Sequence, residues 1–198
     1  PAHPVLRDIL VLNVATMDGW PFGPFLANPR RWHPLVLRGN DPLMTPDLHI
    51  EYTFGKASPD DLVRIIDLLE EAKLPTSGVS LIIDQFLVIR ARESSGPVLA
   101  AGAIEPHGLD GLLRSLVVDS SVRGLGLGKR LTEYLLLSSD ADLHLLTETA
   151  ESFFESFGFE CIDRAQAPDA LRASEEFRCL CPESAAFMRR LSGPKAGE

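Results

Sequence analysis

The feature that most constrains this chain is the run Arg123-Gly124-Leu125-Gly126-Leu127-Gly128, followed by Lys129 and Arg130. It lies between an apolar stretch ending Leu116-Val117-Val118 and a segment, Leu127 to Leu137, whose apolar residues recur at helical spacing. Glycines let a backbone turn sharply and bring its amide hydrogens close to a ligand, and a helix N-terminus adds the positive end of its dipole. Strand, glycine turn and helix in that order form a cradle for phosphate. Two familiar phosphate loops do not fit. A Walker loop needs Gly where Arg123 stands and Ser or Thr where Arg130 stands. The dinucleotide fingerprint needs a third glycine at Lys129 or at Leu131, depending on the starting glycine.

The surrounding order is α/β. Ile50, Tyr52 and Phe54 alternate as a first strand. Ser58, Pro59 and Asp61 form a helix start, and Leu62, Ile65, Ile66 and Leu69 share one face of a helix that stops before Pro75. Residues 86–93 and 98–104 read as two strands of a hairpin joined by Ser94-Ser95-Gly96-Pro97. A fourth strand runs from Leu112 to Val118, followed by the glycine loop and its helix. A strand at 143–147, a helix at 150–157 and a strand at 159–163 complete the order. The hairpin forces antiparallel pairs and the later units cross over, so the sheet is mixed, with helices on its flanks.

Composition sets outer bounds. The chain has 198 residues, 45% of them hydrophobic and 24% charged, enough for one folded domain with an extension. Nineteen basic residues against 28 acidic give a formal net charge of -9, which repels nucleic acid. Apolar runs are broken well short of the ~18 residues of a membrane helix, and Pro1 to Leu10 lacks the layout of a secretory signal. Cys161, Cys179 and Cys181 are an odd number outside any disulfide framework, so reduced, cytoplasmic thiols are expected. Eight of the 15 prolines precede residue 50. Residues 1–48 are therefore expected to be a Pro-rich arm, with Trp20, Phe22, Phe25 and Trp32 docked on a surface, ahead of a domain at 49–192 and a tail at 193–198.

Arg123, Gly126 and Gly128 match the (Gln/Arg)-x-x-Gly-x-(Gly/Ala) signature, and with Phe153-Phe154-Glu155-Ser156-Phe157-Gly158-Phe159 the chain resembles the GNAT superfamily of acetyl-coenzyme A-dependent N-acetyltransferases. The likeness extends from about His49 to Arg190. Within it, Leu112-Leu113-Arg114-Ser115-Leu116, Leu145 to Ala150, and Phe177 with Leu180 to Ala185 are similar to a branch encoded in arsenic-resistance operons. That branch is associated with acetylating arsinothricin and is related to the phosphinothricin acetyltransferases. The resemblance implies acetyl-coenzyme A as co-substrate, a small-molecule amine as acceptor and, by analogy, a homodimer. It also implies that Arg123, Gly124, Gly126, Gly128 and Lys129 bind the pyrophosphate. The amides of Val117 and Val118 would polarise the thioester carbonyl, unless both valines are only core.

The attacking amine must be neutral, so a base takes its proton. Glu105, closing the third strand after Ala100-Ala101-Gly102-Ala103-Ile104, is the candidate catalytic residue, against a plain solvated strand-end acid. His107 is the weaker alternative. Many superfamily members supply a general-acid Tyr on the helix after the fifth strand, and the matching residue here is Phe154, which has no proton to give. Ser152 or Ser156, direct thiolate departure or water-mediated protonation stand in its place, helix-surface serines usually having no such role. Arg114 alternates with Leu112, Leu116 and Val118 on a central strand, where a guanidinium is costly without an anion. Either a substrate acid group or an internal partner, Glu105 or Glu148, supplies one. Ser115, Thr147 and Thr149 would add neutral donors to a substrate anion. A three-cysteine arsenic site is conceivable, but small buried cysteines are the ordinary reading, and no cluster has metal-ligand spacing.

Overall fold

Tyr52 and Phe54 do alternate inward, and the strand they start is the second of a mixed sheet. The computed structural model describes residues 36–37, 52–91, 96–180 and 182–192. The expected arm at 1–48 falls outside these except for Val36–Leu37, and the 193–198 tail and Cys181 fall outside entirely. In chain order the strands are β1 (Val36–Leu37), β2 (Tyr52–Lys56), β3 (Phe86–Ala91), β4 (Val98–His107), β5 (Asp110–Val118), β6 (Asp142–Thr147), β7 (Glu160–Cys161) and β8 (Ala186–Arg190). They form one sheet in the order β1-β2-β3-β4-β5-β6-β8-β7. Every neighbouring pair is antiparallel except β5 with β6.

The helix start at Ser58 forms as expected. The Asp61 carboxylate accepts from the Ser58 amide at 2.6 Å and its hydroxyl at 2.9 Å, while Arg90 of β3 closes on both carboxylate oxygens at 2.5 Å. This ties the entry of α1 (Leu62–Glu71) to the sheet. Ile65, Leu68 and Leu69 of α1 then pack on Phe86, Val88, Ala101, Ala103 and Val117. On the opposite face, Leu127, Leu131 and Leu135 of α2 (Leu127–Leu137) cover Tyr52, Phe54, Leu87 and Ile89. A Cβ at Gly102 would stand 3.0 Å from both Leu116 and Leu135 side chains, so the bare glycine lets α2 close on the sheet. Farther along, α3 (Glu151–Glu155) brings Phe153 and Phe154 against Leu113, Leu143, Leu145 and Met188.

Three expectations change. β4 does not end at Glu105 but continues to His107, turns at Gly108 (φ +70°) and returns at Asp110, because that glycine takes the left-handed turn conformation. Arg114 does not share a face with Leu116 and Val118. Ala103 pairs with Arg114 and Ala101 with Val117, so β5 spends one extra residue in a bulge, where Ser115 adopts φ +56°. The bulge inverts the alternation and puts Arg114 and Val117 on the α1 side. Finally, β8, which sequence alternation does not reveal, inserts between β6 and β7.

Arg90 holds the Asp61 carboxyl down from its usual 3.8 to about 2, hydrogen bonding outweighing burial. A lowered carboxylate stabilises the fold fully above its unfolded pKa and stops doing so as pH falls through the folded one. Asp61→Asn should cost about 2 kcal/mol at neutral pH and shrink the acid-side loss of stability between pH 3.8 and about 2 by a similar amount, read by urea unfolding across pH. An unchanged acid limb would count against the role of this pair.

Candidate active site

β5 and β6 run parallel but pair only at Asp110 with Asp142, Gly111 with Leu143 and Leu112 with His144. Beyond that point both strands continue, β5 through its bulge to Val118 and β6 to Thr147, without pairing to each other. The result is an opening in the sheet, edged on one side by residues 113–118. Backbone groups on such an edge need partners, which a ligand running along the strand supplies. Val117 is buried in the α1-side core and Val118 is half-buried at the rim.

The glycine loop lies where β5 ends. Gly124 and Gly126 take φ +82° and +77°, and a Cβ at either would meet nothing within 4 Å. Conformation, not crowding, makes glycine the fitting residue there. Gly126 is the N-cap of α2 and has no side chain to offer, so the first-turn amides of Leu127, Gly128 and Lys129 are left for another acceptor. A Cβ at Gly128 would touch Val118 at 3.4 Å, which shows how closely the helix start sits against the strand end. Arg123 and Lys129 are exposed, and Arg123 Nε donates to the Val118 carbonyl at 3.2 Å. Asp119 braces the turn, accepting from the Ser121 amide at 2.8 Å and hydroxyl at 2.6 Å and from Arg64 of α1. Burial pushes the Asp119 carboxyl up, but these partners outweigh it and hold it below its usual range. Uncapped amides, two exposed cations and an adjoining slot fit a coenzyme A pyrophosphate and its pantetheine arm.

On the α1 face of the sheet, Glu105, His107 and Arg114 come together. Arg114, its side chain 5% exposed, donates from Nη1 to Glu105 Oε2 at 2.7 Å and from Nη2 to the Ser77 carbonyl at 2.8 Å. Of the two internal partners considered from the sequence, Glu105 is the one in place, and Glu148 lies exposed in the bend after β6. The other oxygen of Glu105, Oε1, faces His107 Nε2 at 3.3 Å. Ser115 is the bulge residue beside Arg114. Thr147 ends β6 with its hydroxyl accepting the Ala150 amide at 3.0 Å, and Thr149 is exposed in the bend beyond.

Phe154 is buried, edge-on to Phe153 and Phe159 at ring distances of 5.0 and 5.7 Å, so the matching tyrosine position is core. Ser156 donates to the Phe153 carbonyl at 2.6 Å, and Ser152 is exposed. Cys161 and Cys179 are both exposed. Among the described residues no group of three His, Cys, Asp or Glu side chains is placed to hold a metal ion, and no helix is long and apolar enough to cross a membrane.

Sequence reasoning passed over His144. It is buried, stacks on Phe187 at 5.5 Å, and its Nδ1 lies 3.7 Å from Asp110. Burial pushes its imidazole below the usual range. The available signal was a histidine inside the apolar run Leu143 to Leu146. The Ser77 carbonyl left no signal, since any residue would present one.

Residues 83–161 match the model of the acetyltransferase (GNAT) domain. No curated protein sequence matches the chain. Among solved structures, the chain is similar to Rv2747 of Mycobacterium tuberculosis, in complex with CoA and NLQ, at 20% identity and TM-score 0.59 over 70% of this chain and 98% of that one. N-acetylglutamate synthase of Neisseria gonorrhoeae, complexed with coenzyme A and N-acetyl-glutamate, is similar at 16% identity and TM-score 0.60. That match covers 72% of this chain but only 35% of the synthase. An acetyltransferase of the GNAT family from Staphylococcus aureus is similar at 16% identity and TM-score 0.56, over 70% and 98% of the two chains. The shared fold is the GNAT fold.

Replacing Gly126 by valine forces a β-branched residue into left-handed backbone at roughly 1–2 kcal/mol. Gly126→Val should reduce coenzyme A affinity about tenfold or more by calorimetry, because 1.4 kcal/mol is tenfold in an equilibrium constant. Affinity equal to that of the unaltered protein would remove the loop from the binding site.

Proposed function

We propose that this chain is an acetyl-coenzyme A-dependent N-acetyltransferase, a reading supported by the match of residues 83–161 to the acetyltransferase (GNAT) domain, and that it acetylates the α-amino group of a small, anionic, amino-acid-like toxin of the arsinothricin or phosphinothricin kind. The observation that carries the reading is the Glu105–Arg114 pair, with its 2.7 Å contact, joining β5 at the edge of the β5–β6 opening to its neighbour β4. An α-amino acid is a zwitterion. Its ammonium matches Glu105 and its acid group matches Arg114, so an acceptor inserted between them replaces one internal contact by two. The guanidinium fork favours a bidentate carboxylate, phosphinate or arsinate. A cationic acceptor such as a polyamine would meet Arg114 unfavourably.

The roles follow from position. Arg123 to Gly128, with Lys129, hold the pyrophosphate, and amides at Val117 and Val118 polarise the thioester carbonyl. Coenzyme A brings the acetyl group as a thioester, whose thiolate leaves without a strong acid. Glu105 takes the ammonium proton. Arg114, helped by Ser115, Thr147 and Thr149, receives the acid group. Phe154 in the core leaves the departing thiolate to water. The GNAT scaffold is also known with coenzyme A and an N-acetylated amino acid together, in the synthase of Neisseria gonorrhoeae.

The test is thiol release from acetyl-coenzyme A against arsinothricin, phosphinothricin, glutamate, spermidine and a lysine peptide. Turnover should be confined largely to the first two. Arg114→Lys keeps the charge but loses the fork, and should raise KM for the acceptor about tenfold or more while leaving coenzyme A affinity unchanged. Glu105→Gln should lower kcat by about a hundredfold or more. Preference for spermidine or the peptide would replace the toxin by a cationic acceptor, and equal loss of both ligands in Arg114→Lys would make that residue purely structural.

A further inference from the structure

Glu105 uses its two oxygens differently. Before an acceptor enters, Oε2 meets Arg114 and Oε1 is the oxygen turned toward His107. What stands at Oε1 is His107 Nε2, 3.3 Å away, a buried atom that makes no hydrogen bond in this arrangement and so has its place opposite a proton carried on Oε1. The His107 side chain is 13% exposed in total. With Nε2 buried, that exposure belongs to the other atoms of the side chain, and Nδ1 is not among the buried atoms left without a partner.

Residues 101, 103, 105 and 107 share one face of β4, as their partners Val117, Arg114, Leu112 and Asp110 show. The stripe therefore runs from the end bordering the opening, past Glu105, to His107 beside the turn at Gly108. Both charged neighbours on β5 and the nearest titratable group on β6 are known: Arg114 holds Glu105, Asp110 pairs with His107 across the strands, and His144 lies next along the row.

We propose that His107 relays the acceptor's proton from Glu105 to solvent, a positioning role that rests on the acetyl-transfer reading above. The ammonium proton passes to Glu105 Oε1 as the amine nitrogen becomes nucleophilic. It then moves to the lone pair of His107 Nε2 while the proton on Nδ1 leaves to water, and exchange with water restores the starting tautomer. The amine–acetyl bond forms as the thioester bond breaks, and the thiolate keeps the bonding pair. No charge accumulates on Glu105, which returns to its ion pair with Arg114 ready for the next turnover.

The test uses the full chain with whichever amine of the panel it acetylates. His107→Gln keeps a polar side chain but cannot titrate, and His107→Ala opens a space for free imidazole. Expected are a drop in kcat of about tenfold or more in both, unchanged coenzyme A affinity, an altered acid limb in the pH profile of kcat, and partial rescue of His107→Ala by added imidazole. Full activity with an unaltered pH profile in His107→Gln would overturn the relay. So would lost activity that imidazole does not rescue with an unaltered pH limb, which is the signature of a merely structural histidine. Should the unaltered protein acetylate none of the amines, the acetyl-transfer reading falls and the relay with it, an outcome distinct from a working enzyme indifferent to His107.

Discussion

Two parallel strands that begin as partners and then part determine most of what this molecule can do. The pairing of β5 with β6 over Asp110 to Leu112 anchors both strands in one sheet, and its end after Leu112 leaves an edge of backbone inside an otherwise continuous structure. An unpaired edge in the middle of a sheet costs free energy unless something satisfies it. The bulge at Ser115 acts in the same place. It turns the strand so that Arg114 and Val117 face α1, while Leu113 and Leu116 pack toward the side that α2 and α3 cover. The glycine loop then follows directly from the end of the same strand. One strand thus carries Arg114, the edge along the opening and the approach to the glycine loop.

The buried Arg114–Glu105 pair is the second determinant. Desolvating a guanidinium and a carboxylate is expensive, and their mutual attraction repays the cost only when the remaining donors are also used. Here Arg114 adds the Ser77 carbonyl to Glu105, which links the sheet to the segment after α1. Ser77 in turn bonds Glu175 at 3.0 Å through its hydroxyl, so the covering segments near the two ends of the domain meet above the pair. Such a pair is weak as a source of stability. What it does is hold opposite charges at a fixed spacing beside the opening, which is what the proposed zwitterionic acceptor requires.

Much of this was legible in the sequence because it depends on local signals. Helix α2 spans Leu127 to Leu137 as its spacing predicts, and α1 starts at the Ser58-Pro59-Asp61 signal. The glycine loop announces itself by composition. What was not legible depends on long-range pairing. The face of Arg114 was misread because alternation assumes a regular strand, and nothing about Ser115 as a residue type announces a positive φ. The partner of Arg114 was one of two named acids, and only the register placing Ala103 opposite Arg114 selects Glu105. Strand β8 has three adjacent apolar residues and then two arginines, so its strand character comes from its five-residue pairing with β6 and not from its own pattern. His144 was hidden for a related reason: its burial follows from β8 laying Phe187 against it.

Hydrogen exchange resolved to individual amides, with and without coenzyme A, tests the central claim most directly. If the opening receives the pantetheine arm and the loop the pyrophosphate, amides in 113–118 and 124–129 gain protection on binding, while those of β2 and β3 on the far side of the sheet do not change. Binding that leaves 113–118 and 124–129 unprotected, or that protects the β2–β3 side instead, would contradict the account.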